Sequence, residues 1–225
     1  MDLISTFFNW DVLVRSFPML MRGIGNTIML GVASTILGGA GGLIVCLMRL
    51  YGPKPARIFA IGYIDLFRAL PILVLLILIY YALPFVGIRF SSFTSATLAL
   101  SLVFSAFTAE VCRAGIESIP RGQFEAAQAL GLNFWITMRK VILPQALRVV
   151  IPPLTSNCVT IYKDTALASV VAMPDLLKQA TDAQALMANP TPLIGAAAIY
   201  LAFLWPLVRL VNHLEERGRR QMEAR

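Results

Sequence analysis

Apolar positions occur in this chain as long runs, and charged residues gather between the runs instead of lining one face of them. Residues 23–48 carry no charge, and about 20 apolar residues cross a bilayer core, so this run predicts a first membrane span. Arg49, Lys54 and Arg57, with Pro53 and Pro55 among them, precede a second span over about 64–88. A third, about 94–114, closes near one membrane face at Glu110 and Arg113. The fourth, about 147–172, is interrupted by Pro152-Pro153 and by Lys163-Asp164 and reads as a broken or tilted helix. A fifth, about 193–212, follows the loop Asn189-Pro190-Thr191-Pro192 and ends in the charged tail 215–225. Residues 3–17, aromatic at Phe7, Phe8, Trp10 and Phe17 but with Asp11 and Arg15 in a short run, predict a surface-lying helix. The expectation is an all-α integral membrane protein, one transmembrane domain over 1–225 with five transmembrane helices.

Charge sets the orientation. Arg49, Lys54, Arg57, Arg68, Arg113, Arg121, Arg139, Lys140, Arg148, Arg209, Arg217, Arg219, Arg220 and Arg225 fall on one side of the five spans, against Arg15, Arg22, Arg89, Lys163 and Lys178 on the other. Because cytoplasmic segments are enriched in Lys and Arg, the amino terminus is expected outside and the carboxyl terminus in the cytoplasm. Met1-Asp2-Leu3-Ile4 has no basic lead, and the first apolar run is too long for a signal peptide, so a cleaved signal is not expected.

Composition narrows the chemistry. Of 225 residues, 58% are hydrophobic and 14% charged, with mean hydropathy +0.74, which excludes an ordinary soluble globule. The net charge of +7 comes from the ends of apolar runs, so nucleic acid is not an expected partner. Cys46, Cys112 and Cys158 stand singly and His213 is the one histidine, which argues against a disulfide framework and a metal site. Gly38, Gly39, Gly41 and Gly42 lie inside the first span and form no phosphate-binding loop, so no ATPase site and no catalytic residue is expected. Gly38 and Gly42 have the small-xxx-small spacing of closely packed membrane helices.

Ionisable groups at membrane depth are costly unless paired or hydrated. Asp65 with Arg68 and Glu110 with Arg113 are spaced i,i+3, and Glu117 with Arg121 i,i+4. Glu110 and Asp164 are the candidate substrate-path residues, Asp164 because unwound backbone at the break in span four can line a cavity. A structural role, Glu110 pairing with Arg113 and Lys163 with Asp164, stands beside that reading for each.

The loop over about 117–144 carries the most information. Ser118 suits a helix cap, Pro120 its first turn, Ala126, Ala127 and Ala129 the helix itself, and Gly131 a left-handed stop. A second short helix is expected over about 133–141, ending before Leu143-Pro144. Phe124, Phe134 and Trp135 suit packing or the headgroup boundary.

Glu125-Ala126-Ala127, three residues, Gly131, nine residues, then Val141-Ile142-Leu143-Pro144 resembles the EAA loop of importer-type ABC transporter permeases. Arg121-Gly122-Gln123, Leu143-Pro144-Gln145-Ala146-Leu147-Arg148 and Lys163-Asp164-Thr165-Ala166-Leu167 are similar to the polar amino acid uptake subfamily, as are Phe67-Arg68-Ala69-Leu70-Pro71 and Ala109-Glu110-Val111-Cys112-Arg113-Ala114-Gly115-Ile116. The family more often has Ile at position 141 and Ser at position 166. The resemblance implies a type I ABC importer-like permease in the bacterial cytoplasmic (inner) membrane. It implies Gly122, Gln123, Glu125, Ala126, Ala127, Gly131, Leu143 and Pro144 as the loop that docks on an ATPase. It further implies two ATP-binding subunits that hold ATP and Mg, a second permease copy or homologous permease, an extracytoplasmic solute-binding protein, and a polar amino acid or related compound such as an opine as cargo. This chain itself would carry no cofactor. A stand-alone channel or secondary transporter is the rival, opposed by the odd span number and the loop. A membrane enzyme has little to work with.

Overall fold

Asn9 starts the first helix, its side-chain oxygen accepting the Val12 N–H at 3.2 Å while its own N–H donates to Thr191 Oγ1 at 3.1 Å. The structure, a computed structural model, describes residues 6–223. Helix α1 (Trp10–Tyr51) runs 42 residues without interruption, so of the surface-lying helix expected over 3–17 only residues 6–7, among the described residues, are helical apart from α1. Residues 10–17 are the first turns of α1, because Pro18 removes one helix hydrogen bond without ending a helix so well capped. Residues 3–5 and Arg225 lie outside the described residues.

Helix α2 (Lys54–Ala69) and helix α3 (Ile72–Ile77), which continues through a π turn (Leu78–Ala82) and a 3-10 turn (Leu83–Val86), meet at 101°. The expected span 64–88 is therefore not one rod. Pro71 offers no N–H and forces Leu70 into extended backbone at ψ 128°, which ends α2 two turns into that run. Helix α4 (Ser92–Glu117) begins with Ser91 Oγ accepting the Thr94 N–H at 3.1 Å.

After the loop segment come helix α7 (Leu143–Asp164), a 3-10 turn (Thr165–Val171), helix α8 (Leu176–Met187) and helix α9 (Thr191–Glu223). Helix α7 passes through Pro152-Pro153 unbroken and changes pitch only at Asp164. Helix α8 was not anticipated, because Lys178, Gln179, Asp182 and Gln184 mask an apolar stripe of Leu176, Ala180 and Ala183 that is fully buried.

Every regular element among the described residues is a helical segment, with no strand. Three helices are long and apolar enough to cross a membrane: α1, α4 and residues 191–213 of α9. The bent α2–α3 pair makes a fourth if it counts as one span. Helix α7 has 22 residues, but Thr155, Ser156, Asn157 and Thr160 break its apolar run.

Helices α1 and α4 form the centre. A Cβ on Gly38 would lie 2.7 Å from the Ser101 carbonyl oxygen, and one on Gly42 would lie 2.6 Å from that of Ser105, so the two backbones touch as the glycine spacing anticipates. Leu30, Leu76, Leu100, Phe104, Ile161 and Val171 close around one end of this pair, and Cys46, Ile64, Ala109 and Val150 around the other. The expected Asp65–Arg68 pair is not formed; the Arg68 guanidinium instead sits 5.6 Å from the Phe107 ring. Cys46, Cys112 and Cys158 are free, and no acidic, His and Cys cluster that could hold a metal occurs among the described residues.

Asp175, between the spans, is fully buried. One oxygen caps α8 by accepting the Lys178 N–H at 2.9 Å, and the other has no hydrogen-bond partner, nor has the buried Tyr200 hydroxyl. Thr27 Oγ1 accepts the Leu176 N–H at 3.0 Å, and Gly23 passes so close that a Cβ would lie 2.7 Å from Leu176 Cα. Burial pushes the Asp175 carboxyl up to about 6, against the pull of backbone N–H groups and Lys178. The raised value means that protonation favours the fold: this contribution is complete in acid and is lost as pH rises through about 6.

Two outcomes follow from this packing. In detergent-solubilised protein, Gly42→Val destabilises by about 1–3 kcal/mol, whereas Gly25→Ala, with nothing near its Cβ, leaves the melting temperature unchanged or higher; equal melting of both variants would contradict the close contact. Asp175→Asn retains the cap and removes the buried charge, so it raises the melting temperature at pH 8 by the equivalent of at most about 3 kcal/mol, an advantage that shrinks as pH falls below 6. A pH-independent difference would rule out that burial cost.

Candidate functional site

Helix α4 does not fray into a loose connection. Ser118 ends it, its hydroxyl donating to the Gly115 carbonyl at 2.8 Å and its N–H to that of Ala114 at 2.9 Å. Ser118 is thus the last residue of one helix and not the cap of the next. Helix α5 (Arg121–Ala129) starts from Pro120 with no side-chain cap, since the proline's fixed φ already suits entry into a helix. At its far end the Gly131 N–H donates to Gln128 O at 2.8 Å and the Leu132 N–H to Ala127 O at 3.1 Å, with Gly131 left-handed at φ +73°. That conformation is open to glycine at little cost and stops the helix as its sequence anticipates.

Asn133 then caps helix α6 (Phe134–Thr137), accepting the Ile136 N–H at 2.9 Å. The second loop helix does not stop before Leu143-Pro144. It passes through a π turn (Met138–Ile142) straight into α7, the Leu143 N–H donating to Met138 O. Pro144 lies within the first turn of α7, where a missing N–H costs little.

Ile119, Met138, Ile142 and Ala146 are buried together, with Phe124 packed on them, so α5 is held against the root of α7. Gln145 Nε2 donates to Gln123 Oε1 at 3.3 Å and to Val141 O at 2.8 Å. Of the sequence-identified loop residues, Ala127 is buried, while Gly122, Gln123, Glu125, Ala126, Gly131, Leu143 and Pro144 are exposed. The loop thus presents a small-residue surface with one carboxylate on a support fixed to both α4 and α7.

Glu110 is fully engaged. Arg49 Nη1 donates to its Oε2 at 2.8 Å, and Arg113 grips both oxygens, Nε to Oε2 at 3.2 Å and Nη2 to Oε1. Arg113 also pairs with Glu117, so the expected Glu117–Arg121 pair is replaced by Arg113–Glu117. Arg49 lies on α1, 61 residues from Glu110, and nothing in local spacing signals that contact. The carboxylate is 22% exposed, so this network ties the ends of α1 and α4 just where α4 enters the loop.

Asp164 stands elsewhere. Asn157, Thr160 and Asp164, spaced i, i+3, i+7 on one face of α7, line a cavity of about 90 Å³ whose other wall is Val103, Phe104 and Phe107 of α4. Asp164 is half-buried, and the expected Lys163 ion pair is absent; no ion pair engages it among the described residues. Glu110 does not line this cavity. Asn157 and Thr160 escaped sequence reasoning, although their spacing from Asp164 was a usable signal.

Comparison with known proteins gives this arrangement a family. Residues 38–220 match the model described as "Binding-protein-dependent transport system inner membrane component". The chain is 38% identical to the L-cystine transport system permease protein TcyB of Bacillus subtilis (strain 168), covering 95% of this chain and 92% of that one. It is 39% identical to the probable amino-acid ABC transporter permease protein YckA of the same organism, over 77% of this chain and 76% of that one. A solved structure described as an amino acid ABC transporter with histidines superposes with a TM-score of 0.86 at 33% identity, covering 96% of this chain and 99% of that one. The chain therefore belongs to the family of inner membrane components of binding-protein-dependent transport systems. It is a permease component of ABC importers, placed in the inner membrane.

The Glu110 network makes a further prediction. Glu110→Gln and Arg49→Gln each destabilise the purified protein by about 1 kcal/mol, and the double variant loses little more than either single one. Full additivity of the melting-temperature losses would show that the two side chains do not act together.

Proposed function

We propose that this chain forms half of the translocation path of an ATP-driven importer for a polar amino acid or a related compound, coupled to its ATPase through α5. The observation that carries this reading is the mounting of the loop: an exposed Glu125-Ala126 surface on a helix packed on the root of α7 through Phe124 and Gln123–Gln145 and joined to α4 by the short turn 118–120. Force applied at α5 reaches α7 through that packed contact and α4 through a turn of three residues, and these are the two helices that line the Asp164 cavity.

In this reading five segments cross the membrane: α1, the bent α2–α3 pair, α4, α7 with its 3-10 extension, and α9. The amino end is outside and the carboxyl end in the cytoplasm. At about 1.5 Å per residue, the 22 residues of α7 reach roughly 33 Å, enough for a bilayer core, and its polar face is suited to a path shielded from lipid. One such subunit is too small to enclose a solute, so a second copy or a homologous permease completes the path. Two cytoplasmic ATP-binding subunits hold ATP and Mg, and this chain contributes no cofactor and no catalytic residue. An extracytoplasmic solute-binding protein delivers the cargo.

Asp164 is the group in the path best suited to meet an ammonium, because it faces a cavity with Asn157 and Thr160 beside it and has no ion-pair partner among the described residues. Glu110, held by two guanidiniums, acts in the coupling framework instead. The names of the relatives, an L-cystine permease and an amino-acid permease, support cargo of this class.

Affinity purification of the tagged chain from its native membranes, beside Gly131→Asp, tests the coupling. An ATPase copurifies with the wild type and is lost from the variant, since φ +73° strains aspartate and a new charge enters the docking surface. A chain that comes out alone in both cases would favour a stand-alone transporter. Asp164→Asn is expected to cut uptake at least tenfold with the ATPase still bound, and undiminished uptake would remove Asp164 from the path.

A further inference from the structure

A second cavity opens at the loop end of the molecule and shares no lining residue with the Asp164 cavity. It is a groove of about 600 Å³ between the last turns of α1, the end of α4 and the π turn, lined by Leu47, Tyr51, Ile116, Trp135, Met138 and Arg139 among others. Its aromatic wall is ordered: the Tyr51 and Phe134 rings meet edge to face at 5.7 Å, Phe134 and Trp135 at 5.6 Å, and the Tyr51 hydroxyl points at Met138 Sδ at 3.8 Å. Trp135 is nonetheless 78% exposed.

The depth of this groove follows from α1. The uncharged run that begins at Gly23 ends at Met48, and Arg49 is the first charge after it. Leu47 therefore lies at the edge of the hydrocarbon and Tyr51 one turn further, in the headgroup region, where Tyr and Trp side chains concentrate. The groove crosses that boundary, apolar on the hydrocarbon side. Arg139 is its one charged lining residue among the described residues. Arg139 is exposed and forms no ion pair among the described residues, whereas Arg49 and Arg113 nearby in the fold are engaged by Glu110. An apolar slot with an unpaired guanidinium at headgroup depth matches one kind of molecule, a lipid with acyl chains for the slot and a phosphate for the fork of Arg139.

We propose that this groove is a binding site for one anionic phospholipid, its acyl chain against Leu47, Ile116, Met138 and Trp135 and its headgroup phosphate on Arg139. The lipid would wedge between the end of α1 and the π turn through which the loop joins α7. The inference rests on α1 spanning the membrane, and on neither the identity of the solute nor the docking role of α5. An apolar side chain of a cytoplasmic partner is the other conceivable occupant, which the test separates.

Wild-type protein, Arg139→Gln, Arg139→Lys and Lys140→Gln are reconstituted in nanodiscs containing equal phosphatidylglycerol and phosphatidylcholine, released, and examined by native mass spectrometry. The wild type retains one phosphatidylglycerol in preference to phosphatidylcholine; Arg139→Gln loses that retention at least fivefold, Arg139→Lys recovers part of it, and Lys140→Gln, whose side chain is outside the groove, behaves as wild type. A phosphatidylglycerol with a photoreactive acyl chain cross-links to the segment 134–143 in the complete complex purified with its partners. Equal retention of the two lipids, or undiminished retention by Arg139→Gln with an unchanged melting temperature, would overturn the proposal. So would a cross-link in that complex formed from position 135 to a protein partner instead of lipid. Failure of an ATPase to copurify would count against the coupling reading while leaving the lipid measurement intact.

Discussion

Everything in this molecule is arranged around the contact between α1 and α4. Lipid chains are as apolar as leucine, so helices inside a membrane gain nothing from burial as such and must associate through dispersion and polar contact at short range. Gly38 and Gly42 provide that range by letting the Ser101 and Ser105 carbonyls approach where any Cβ would intrude. Once α4 is fixed against α1, its far end delivers Ser118 and the loop to a defined place, and its middle becomes one wall of the Asp164 cavity.

The charged groups divide the labour. At the loop end, Glu110 satisfies both its oxygens with Arg49 and Arg113, a framework that neutralises its own charge and joins two helices. Along α7, Asp164 has no ion pair among the described residues and lines a cavity beside Asn157 and Thr160. Asp175 uses a third solution, capping α8 while burial favours its protonated form.

The loop owes its character to continuity. A π turn lets α6 flow into α7 past Pro144, and the buried cluster of Ile119, Met138, Ile142 and Ala146 clamps α5 to the same root. This segment is held by backbone hydrogen bonds and packed side chains, not by long-range charge.

Much of this was legible in the residues themselves. The uncharged runs of α1, α4 and α9, the glycine pair and the left-handed Gly131 all announce themselves locally, because membrane depth, close packing and positive φ each admit few residue types. Other features could not be read that way. The turn of 101° at Leu70-Pro71 hides in an unbroken apolar run, and α8 hides its apolar stripe among polar neighbours. The Arg113 partner of Glu110 could be read from i,i+3 spacing, but the Arg49 partner could not, being 61 residues away, while Asn157 and Thr160 joined Asp164 only when α4 supplied the opposite wall. Composition and spacing determined which runs are apolar enough for a membrane and where the chain turns at Gly131. Tertiary structure decided which charges are already paired and which still face an open cavity, since pairing depends on distances between helices that no local pattern encodes.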